Sequence, residues 1–271
     1  MDTRRVVVDT DTASDDALAL LLLGLSERAD IEVVTTVAGN VGVEQASANA
    51  AHTLSVLGRE DVPIHEGAAE PLAADSQSAE NVHGPGGLGD VTAETDVEIA
   101  SESAVERLCR ADADVLLCIG PLTNVAAALE RDPSIGARFD DVVVMGGACN
   151  TLGNVTAPTE FNFWYDPDAA KRVLDELSVT LVDWGLSLRD GVISDDVLDR
   201  IAAADTPAAD FFTRASSAAR AHARDEQDLD GGVFADALAA TVVLAPDAVT
   251  GERQMYVDVD TREGMTRGYS L

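Results

Sequence analysis

Short hydrophobic runs alternate along this chain with longer segments of helical character. Residues 6–8 are three valines bounded by polar residues, which is typical of a buried strand in a parallel sheet. The aliphatic segment 17–25 that follows has the length of a helix, and Ser14 is a candidate N-cap for it. The chain therefore opens with the first strand and helix of a βαβ unit.

The same alternation continues to about residue 244. Further strands are predicted at residues 31–37, 61–65, 115–119, 142–145 and 179–182, and further helices at 43–57, 122–130, 167–177, 195–203, 207–224 and 234–244. This order predicts an α/β fold with an open, doubly wound, mostly parallel sheet and helices on both faces. No internal repeat or linker divides the chain, so we predict a single domain over residues 1–271.

Two predicted loops are long for a compact domain. Residues 67–100 include the glycine-rich stretch HGPGGLGD, which begins at His83, and residues 146–159 are rich in Gly, Asn and Thr. Loops of this length are often lids or binding loops. We expect the glycine-rich stretch to be a mobile lid over a site.

Four aspartates crowd the end of the first predicted strand. Residues 9–16 read DTDTASDD, and open α/β sheets bind ligands at the carboxyl ends of their strands. Like charges this close repel strongly unless a cation lies between them. The pattern predicts an oxygen-ligand site for Ca²⁺ or Mg²⁺ rather than Zn²⁺. An acidic helix start favoured by the helix dipole would explain Asp15 and Asp16, but not Asp9 and Asp11.

The charge of the chain is extreme. Its 271 residues carry a formal net charge of −31, and Lys171 is the one lysine. Such a charge repels itself in dilute salt, whereas at molar salt the Debye length falls to about 3 Å. We therefore hypothesise a cytoplasmic protein of a salt-accumulating halophile. The acidity weighs against binding to nucleic acid or an anionic membrane.

The cysteine pattern and the short length of the first aliphatic run agree with the expected cytoplasmic location. Cys109, Cys118 and Cys149 are odd in number and lack zinc-site spacing, so we predict reduced thiols. No signal peptide precedes the first strand, and the aliphatic run 18–25 is too short to span a bilayer.

Polar residues also follow the other predicted strands. They are Asn40, the motif GPLTN at 120–124, MGG at 145–147, EFN at 160–162 followed by DP at 166–167, and Asp236 after a Gly-Gly turn. Singly, each is ordinary turn chemistry. Together they predict a ring of hydrogen-bonding groups around the acidic cluster, as a polyol ligand would need.

On these motifs the chain resembles the inosine–uridine-preferring nucleoside hydrolase family, from residue 6 to about residue 259. The family motif DTDPGxDD appears here as DTDTASDD, which keeps every carboxylate and loses the Pro-Gly turn. The resemblance implies a doubly wound α/β fold, a homodimer or homotetramer and a place in nucleoside salvage. It also implies Ca²⁺-dependent hydrolysis of ribonucleosides to ribose and free base.

The resemblance further implies a role for each motif residue. Ca²⁺ would be held by Asp11, Asp16, the backbone carbonyl of Thr123, and Asp236. Substrate would contact Asp15, Asn40, Met145, Asn154, Glu160 and Asn162. Asp11 would be the general base on the attacking water, and Asp9 would support the cluster through hydrogen bonds.

Besides the lost Pro-Gly turn, the chain departs from the family in two further places. Several members carry a histidine just before the last metal aspartate, where this chain has Ala235. That leaves His83 and His222 as candidate acids for the departing base, and we favour His83 because it lies in the predicted lid. His52 and His65 are interpreted as structural, while Trp164 and Tyr165 could stack on a base or pack in the core. The family also continues with a further strand and helix, so we expect a domain shortened at its C-terminus.

Two alternatives remain open at this point. A haloacid-dehalogenase-like phosphatase also begins with Asp-x-Asp and would use Mg²⁺ with Asp9 as its nucleophile. It needs Thr or Val where this chain has Ala13, and a late lysine, whereas Lys171 lies in a predicted helix. A nucleoside- or metal-binding protein that has lost catalysis would fit the altered turn and Ala235.

Overall fold

The structure is a computed structural model that describes residues 3–73, 78–94, 97–149, 151–227 and 230–271. Its strands are β1 (Arg4–Thr10), β2 (Ala29–Thr36), β3 (Ile64–Glu66), β4 (Ala113–Cys118), β5 (Phe139–Met145), β6 (Thr180–Val182), β7 (Val192–Ile193) and β8 (Gly232–Val233). Its helices are α1 (Ser14–Leu25), α2 (Val43–Val56), α3 (Glu80–His83), α4 (Ala104–Leu108), α5 (Thr123–Arg131), α6 (Phe161–Tyr165), α7 (Pro167–Glu176), α8 (Trp184–Asp190), α9 (Asp195–Ala202), α10 (Pro207–Ala215), α11 (Ser217–Gln227) and α12 (Ala235–Leu244).

One parallel sheet organises these elements. Its strand order is β3-β2-β1-β4-β5-β6, and β7 pairs with β8 in a separate antiparallel ribbon. The chain winds outward from β1 in one direction and from β4 in the other, so the ends of these two strands form the topological switch point where such sheets bind ligands. The predicted open, doubly wound α/β fold is confirmed.

Both faces of the sheet are covered by helices. Val6 and Val8 of β1 point into a core with α1, α2 and α12, whereas Val7 points into a core with α5 and α7. Alternate side chains of a strand point to opposite faces, so a run of three valines suits a strand buried on both sides.

Two details of the helix predictions are wrong. The N-cap of α1 is Ala13 rather than Ser14, because the Asp16 carboxylate accepts the Ala13 N–H at 2.8 Å, leaving the Ser14 hydroxyl for another partner. The predicted helix 207–224 is two helices that separate at Ser216, whose hydroxyl donates to the Phe212 carbonyl.

The long loops contain structure that the hydrophobic pattern does not show. Residues 67–100 hold α3 and the 3₁₀ turn Pro85–Gly87, and Leu88 has no exposed surface. The short helices α4, α6 and α8 are also absent from the predictions, because helices of five to seven residues give little periodicity. All three cysteines are free, as predicted. Within the described residues, no helix has the length and apolar character to cross a membrane.

Candidate active site

Three acidic side chains meet at the carboxyl end of β1. Carboxylate oxygens of Asp15, Asp16 and Asp236 all lie within 4.8 Å of one another. Asp15 and Asp16 belong to the first turn of α1 and Asp236 to the first turn of α12, and these two helices pack together. The cluster therefore forms where two helix N-termini, which favour negative charge, approach each other.

Asp11 lies beside this cluster and is completely buried. Its Oδ2 accepts the backbone N–H of Asn40 at 2.6 Å, while its Oδ1 has no hydrogen-bond partner among the described residues. The backbone of two loops packs directly against it. A Cβ on Gly39 would stand 2.1 Å from the Asp11 carboxylate, and one on Gly120 would stand 2.8 Å from its backbone nitrogen. Both motif glycines are thus needed for close packing around this carboxylate.

The turn before α1 holds its shape without the Pro-Gly pair of the family motif. Ala13 has φ −105°, which any residue adopts, so glycine is not needed there. Thr12 can donate its N–H, as a proline could not, and it does so to the Thr10 hydroxyl at 3.0 Å. That hydroxyl in turn donates to Asp16 at 2.5 Å. The altered residues thus support a metal-ligand candidate and do not disrupt the cluster.

Burial dominates the electrostatics of these carboxylates. Burial is the largest cause of a pKa of about 7 for Asp11; the Asn40 hydrogen bond opposes this rise and the charge of Asp15 contributes to it. Burial and neighbouring carboxylates also raise the pKa values of Asp16 and Asp236 well above the ordinary range. Among the described residues, no lysine or arginine pairs with these three groups. Buried carboxylates without a cationic partner are costly.

The donor set fits a hard divalent cation. Oxygens of Asp11 and Asp15 are buried without hydrogen-bond partners in the described part of the chain, and the neighbouring acids supply further oxygen ligands. Ca²⁺ and Mg²⁺ prefer such ligands. The structure groups Asp15 with Asp16 and Asp236, whereas Thr123 lies at the start of α5 with its hydroxyl bonded to Asp166. Which of these residues bind the metal stays a prediction.

Asp9 lies in β1, two residues before Asp11, and is completely buried. Its Oδ1 accepts the Thr35 hydroxyl at 2.5 Å and the Asn124 amide at 2.9 Å. Asn124 also donates to the Thr36 carbonyl and accepts the Ala68 N–H, so it joins β1, β2 and α5. Burial raises the pKa of Asp9 to about 6, against these hydrogen bonds.

A cavity of about 330 Å³ opens above the carboxylates, a size typical of small-molecule sites. Its wall includes every residue that the resemblance assigns to the substrate, namely Asp15, Asn40, Met145, Asn154, Glu160 and Asn162. Asp236 and Ala235 also reach this wall. The structure therefore brings the six predicted substrate residues together around one cavity.

Helix α6 supplies the polar edge of the cavity. The Glu160 carboxylate caps this helix by accepting the N–H groups of Asn162 and Phe163, and it also accepts the Gly147 N–H at 2.8 Å. The Asn162 amide donates to the carbonyls of Ile119 and Met145, at the ends of β4 and β5. Burial raises the pKa of Glu160 to about 7, although these N–H donors lower it.

Two histidines and two tryptophans also line the cavity. They are His83, His222, Trp164 and Trp184. His222 lines the cavity and is half-buried, whereas Arg220 and Arg224 of the same helix pair with Asp195. Burial lowers the pKa of His83, an effect that the charge of Asp15 opposes.

Sequence reasoning did not single out Trp184. The residue follows β6, but an isolated tryptophan after a short hydrophobic run gives no signal that separates a cavity wall from a core. Tyr165 is 3% exposed and packs on Phe161 with ring centroids 5.8 Å apart, so it belongs to the packed interior. His52 and His65 bond to the backbone carbonyls of Glu94 and Glu102, as their structural interpretation requires.

Comparison with known proteins agrees with this geometry. The model of the inosine-uridine preferring nucleoside hydrolase family matches residues 6–271. The chain belongs to this family. It is therefore a hydrolase of the N-ribosyl glycosidase class, and the phosphatase alternative is ruled out.

Individual nucleoside hydrolases resemble the chain over nearly its whole length. The pyrimidine-specific ribonucleoside hydrolase RihB of Escherichia coli (strain SE11) is 31% identical over 278 residues, covering 100% of this chain and 88% of that protein. The plant nucleoside hydrolase PpNRh1 superposes with a TM-score of 0.92 at 28% identity, covering 99% and 86%. The purine-preferring ribonucleoside hydrolase of Gardnerella vaginalis superposes with a TM-score of 0.89 at 31% identity, covering 98% and 87%.

The buried acids of this nucleoside hydrolase predict how calcium and pH act together on its stability. Asp9, Asp11 and Glu160 have pKa values raised to about 6, 7 and 7, so between about pH 4 and pH 7 the metal-free folded state binds more protons than the unfolded state. Its stability should fall as pH rises through that window. A divalent cation in this cluster would need ionised carboxylates, so stabilisation by calcium should grow over the same range.

The measurement is thermal unfolding of metal-depleted protein in molar KCl at pH 5.5, 6.5 and 7.5, with and without added CaCl₂. We expect the calcium-induced rise in Tm to be small at pH 5.5 and to reach several degrees at pH 7.5. MgCl₂ at the same concentration compares the two candidate metals. A rise that is equal at the three pH values would contradict a site built from these carboxylates.

Proposed function

We propose that this protein hydrolyses the N-glycosidic bond of ribonucleosides to ribose and free base, and that it depends on Ca²⁺. The observation that carries the proposal is a buried, unpaired carboxylate cluster at the base of a cavity with a polar wall. A polyol ligand needs such a wall, and a cleavage that builds positive charge on the sugar is favoured by carboxylates beneath it. Family membership supplies the reaction class.

The proposed metal is held by Asp11, Asp16, Asp236 and the Thr123 carbonyl. Ca²⁺ held by these residues would lower the pKa of a water molecule and help to orient the substrate. Asp15 and Asn162 bind ribose hydroxyls, with Asn154 and Glu160 near the 5′-hydroxyl. Asn40 and Met145, which also line the cavity, contact the sugar.

Two proton transfers complete the proposed reaction. The bond between C1′ and the base nitrogen breaks with its electron pair left on the base, which takes a proton from His83. A water molecule adds to C1′ and gives its proton to Asp11. Once Asp11 releases its proton to solvent and His83 takes one up, the sum is nucleoside plus water to ribose plus base. Ala235 stands where several relatives carry a histidine, so His83 would perform the acid role alone or beside His222.

The test is release of ribose from inosine, uridine, adenosine, guanosine and cytidine in molar KCl, with CaCl₂ and with a chelator. Calcium-dependent release from any of the five is the expected result, and their relative rates give the base preference. Turnover that survives exhaustive chelation would contradict the metal dependence. If calcium binds and none of the five is cleaved, a nucleoside-binding protein without this activity is the better description.

A further inference from the structure

The Ser14 hydroxyl has an unusual position for a serine at the start of a helix. Serine at this point commonly caps the helix, but here Asp16 accepts the Ala13 N–H and Ser14 is the first residue inside α1. Its side chain has no exposed surface, and its Oγ lies 2.8 Å from Nδ1 of His83. The hydroxyl therefore contacts a ring that comes from a loop 69 residues farther along the chain.

From this contact we propose that Ser14 is a positioning residue, which holds the His83 ring with Nδ1 toward α1 and leaves Nε2 free for the departing base. The inference rests on the proposed function of His83. The serine hydroxyl can accept a hydrogen bond from Nδ1–H in the doubly protonated ring and, after the proton leaves Nε2, from the same Nδ1–H of the neutral ring, so it holds the ring throughout the transfer. The nearest carboxylate, Asp15, lies 3.8 Å from Nδ1, beyond direct hydrogen-bond distance.

The loop that carries His83 explains why the contact with Ser14 matters. His83 ends the four-residue helix α3, and Gly84 and Gly86 follow it with φ values of 83° and 74°, which glycine adopts readily. Asn49 ties the backbone of the same loop to the DTDTASDD turn, donating to the carbonyls of Thr12 and Gly86 at 2.8 Å each. That tie places the loop, whereas the Ser14 contact orients the ring.

The variant Ser14→Ala removes the hydroxyl with the smallest change in volume. We expect kcat for inosine or uridine to fall by about 10- to 100-fold, the cost typical of losing the outer partner of a site histidine, with KM unchanged. A riboside of 4-nitrophenol, whose leaving group departs as an anion without a proton, should be cleaved at the wild-type rate. Ser55→Ala is the matched control, because Ser55 is likewise a helical serine, but its hydroxyl donates to the Ala51 carbonyl of its own helix and it does not line the cavity.

A double-mutant cycle tests whether Ser14 acts through its contact with His83. If Ser14 acts through His83, adding Ser14→Ala to His83→Ala should cause no further loss on the nucleoside. Equal loss on the nucleoside and on the nitrophenyl riboside, or losses that add in the double variant, would overturn the proposal and make Ser14 merely structural.

A measurement without turnover separates this inference from the proposed function. In ¹⁵N-histidine-labelled protein, the ring signals of His83 are assigned by their absence from His83→Ala. Ser14→Ala should shift the Nδ1 signal, and an unchanged Nδ1 signal would overturn the proposal. If the wild type cleaves neither substrate, the proposed function fails while the nitrogen shifts still decide the contact.

Discussion

Replacing Asp11 with asparagine is expected to lower the kcat for ribonucleosides by roughly 10²- to 10⁴-fold, the range for loss of a positioned general base. Asparagine keeps the volume of a fully buried side chain that packs against Gly39 and Gly120, and its amide oxygen can still accept the Asn40 N–H. The amide cannot take a proton from water, and it removes one charge from the cluster. The loss should therefore appear in turnover while the protein stays folded.

The measurement is steady-state ribose release in molar KCl with saturating calcium, together with circular dichroism and Tm for each variant. Asp112→Asn makes the same chemical change on a side chain that is 86% exposed. Asp112 directly precedes β4, at the amino ends of the strands and opposite the site, so this variant should retain full activity. Calcium titration of Asp11→Asn separates a metal defect from a base defect. Wild-type turnover in this variant would rule out Asp11 as the general base.

Most of the site could be predicted because its residues come from strand ends. A parallel sheet brings the carboxyl ends of its strands to one edge, so Asp11, Asn40 and Met145 could be placed together from their positions after hydrophobic runs. Helices that start at the same edge then bring in Asp236 and Asn162. Each of these residues lies in the wall of the cavity or beside the acidic cluster.

The errors and omissions arise where two groups compete for one partner or where the partner is distant in the chain. Ser14 is a good N-cap by residue type, but Asp16 supplies the carboxylate for the Ala13 N–H, and the sequence does not rank the two acceptors. His222 lines the cavity while Arg220 and Arg224 of the same helix pair with Asp195 of α9, and the sequence of the helix alone does not show which of these residues faces the cavity. The local pattern of hydrophobic and polar residues does not show contacts of this kind.

The acidic surface predicts that the folding of this protein depends strongly on salt concentration. The chain has a formal net charge of −31, and many of its carboxylates point into solvent, including those of Asp199, Asp210 and Glu263, whose side chains are 76%, 75% and 81% exposed. At about 0.15 M salt the Debye length is about 8 Å, so neighbouring surface charges still repel, whereas at 1 M it is about 3 Å. We expect the protein to be folded in molar KCl and to unfold on dialysis into dilute buffer.

Circular dichroism along a KCl titration gives the midpoint of this transition. If screening of surface charge is the cause, neutralising exposed carboxylates should move the midpoint to lower salt. Glu60→Gln, Asp247→Asn and Glu252→Gln combined make such a change, because these exposed residues lie away from the cavity. Lys171→Gln is the opposite test, since it makes the net charge more negative and removes the ion pairs to Asp175 and Asp258, so its midpoint should rise. A wild-type protein that stays folded and active in dilute buffer would contradict the halophile hypothesis, and the acidity would then need another explanation.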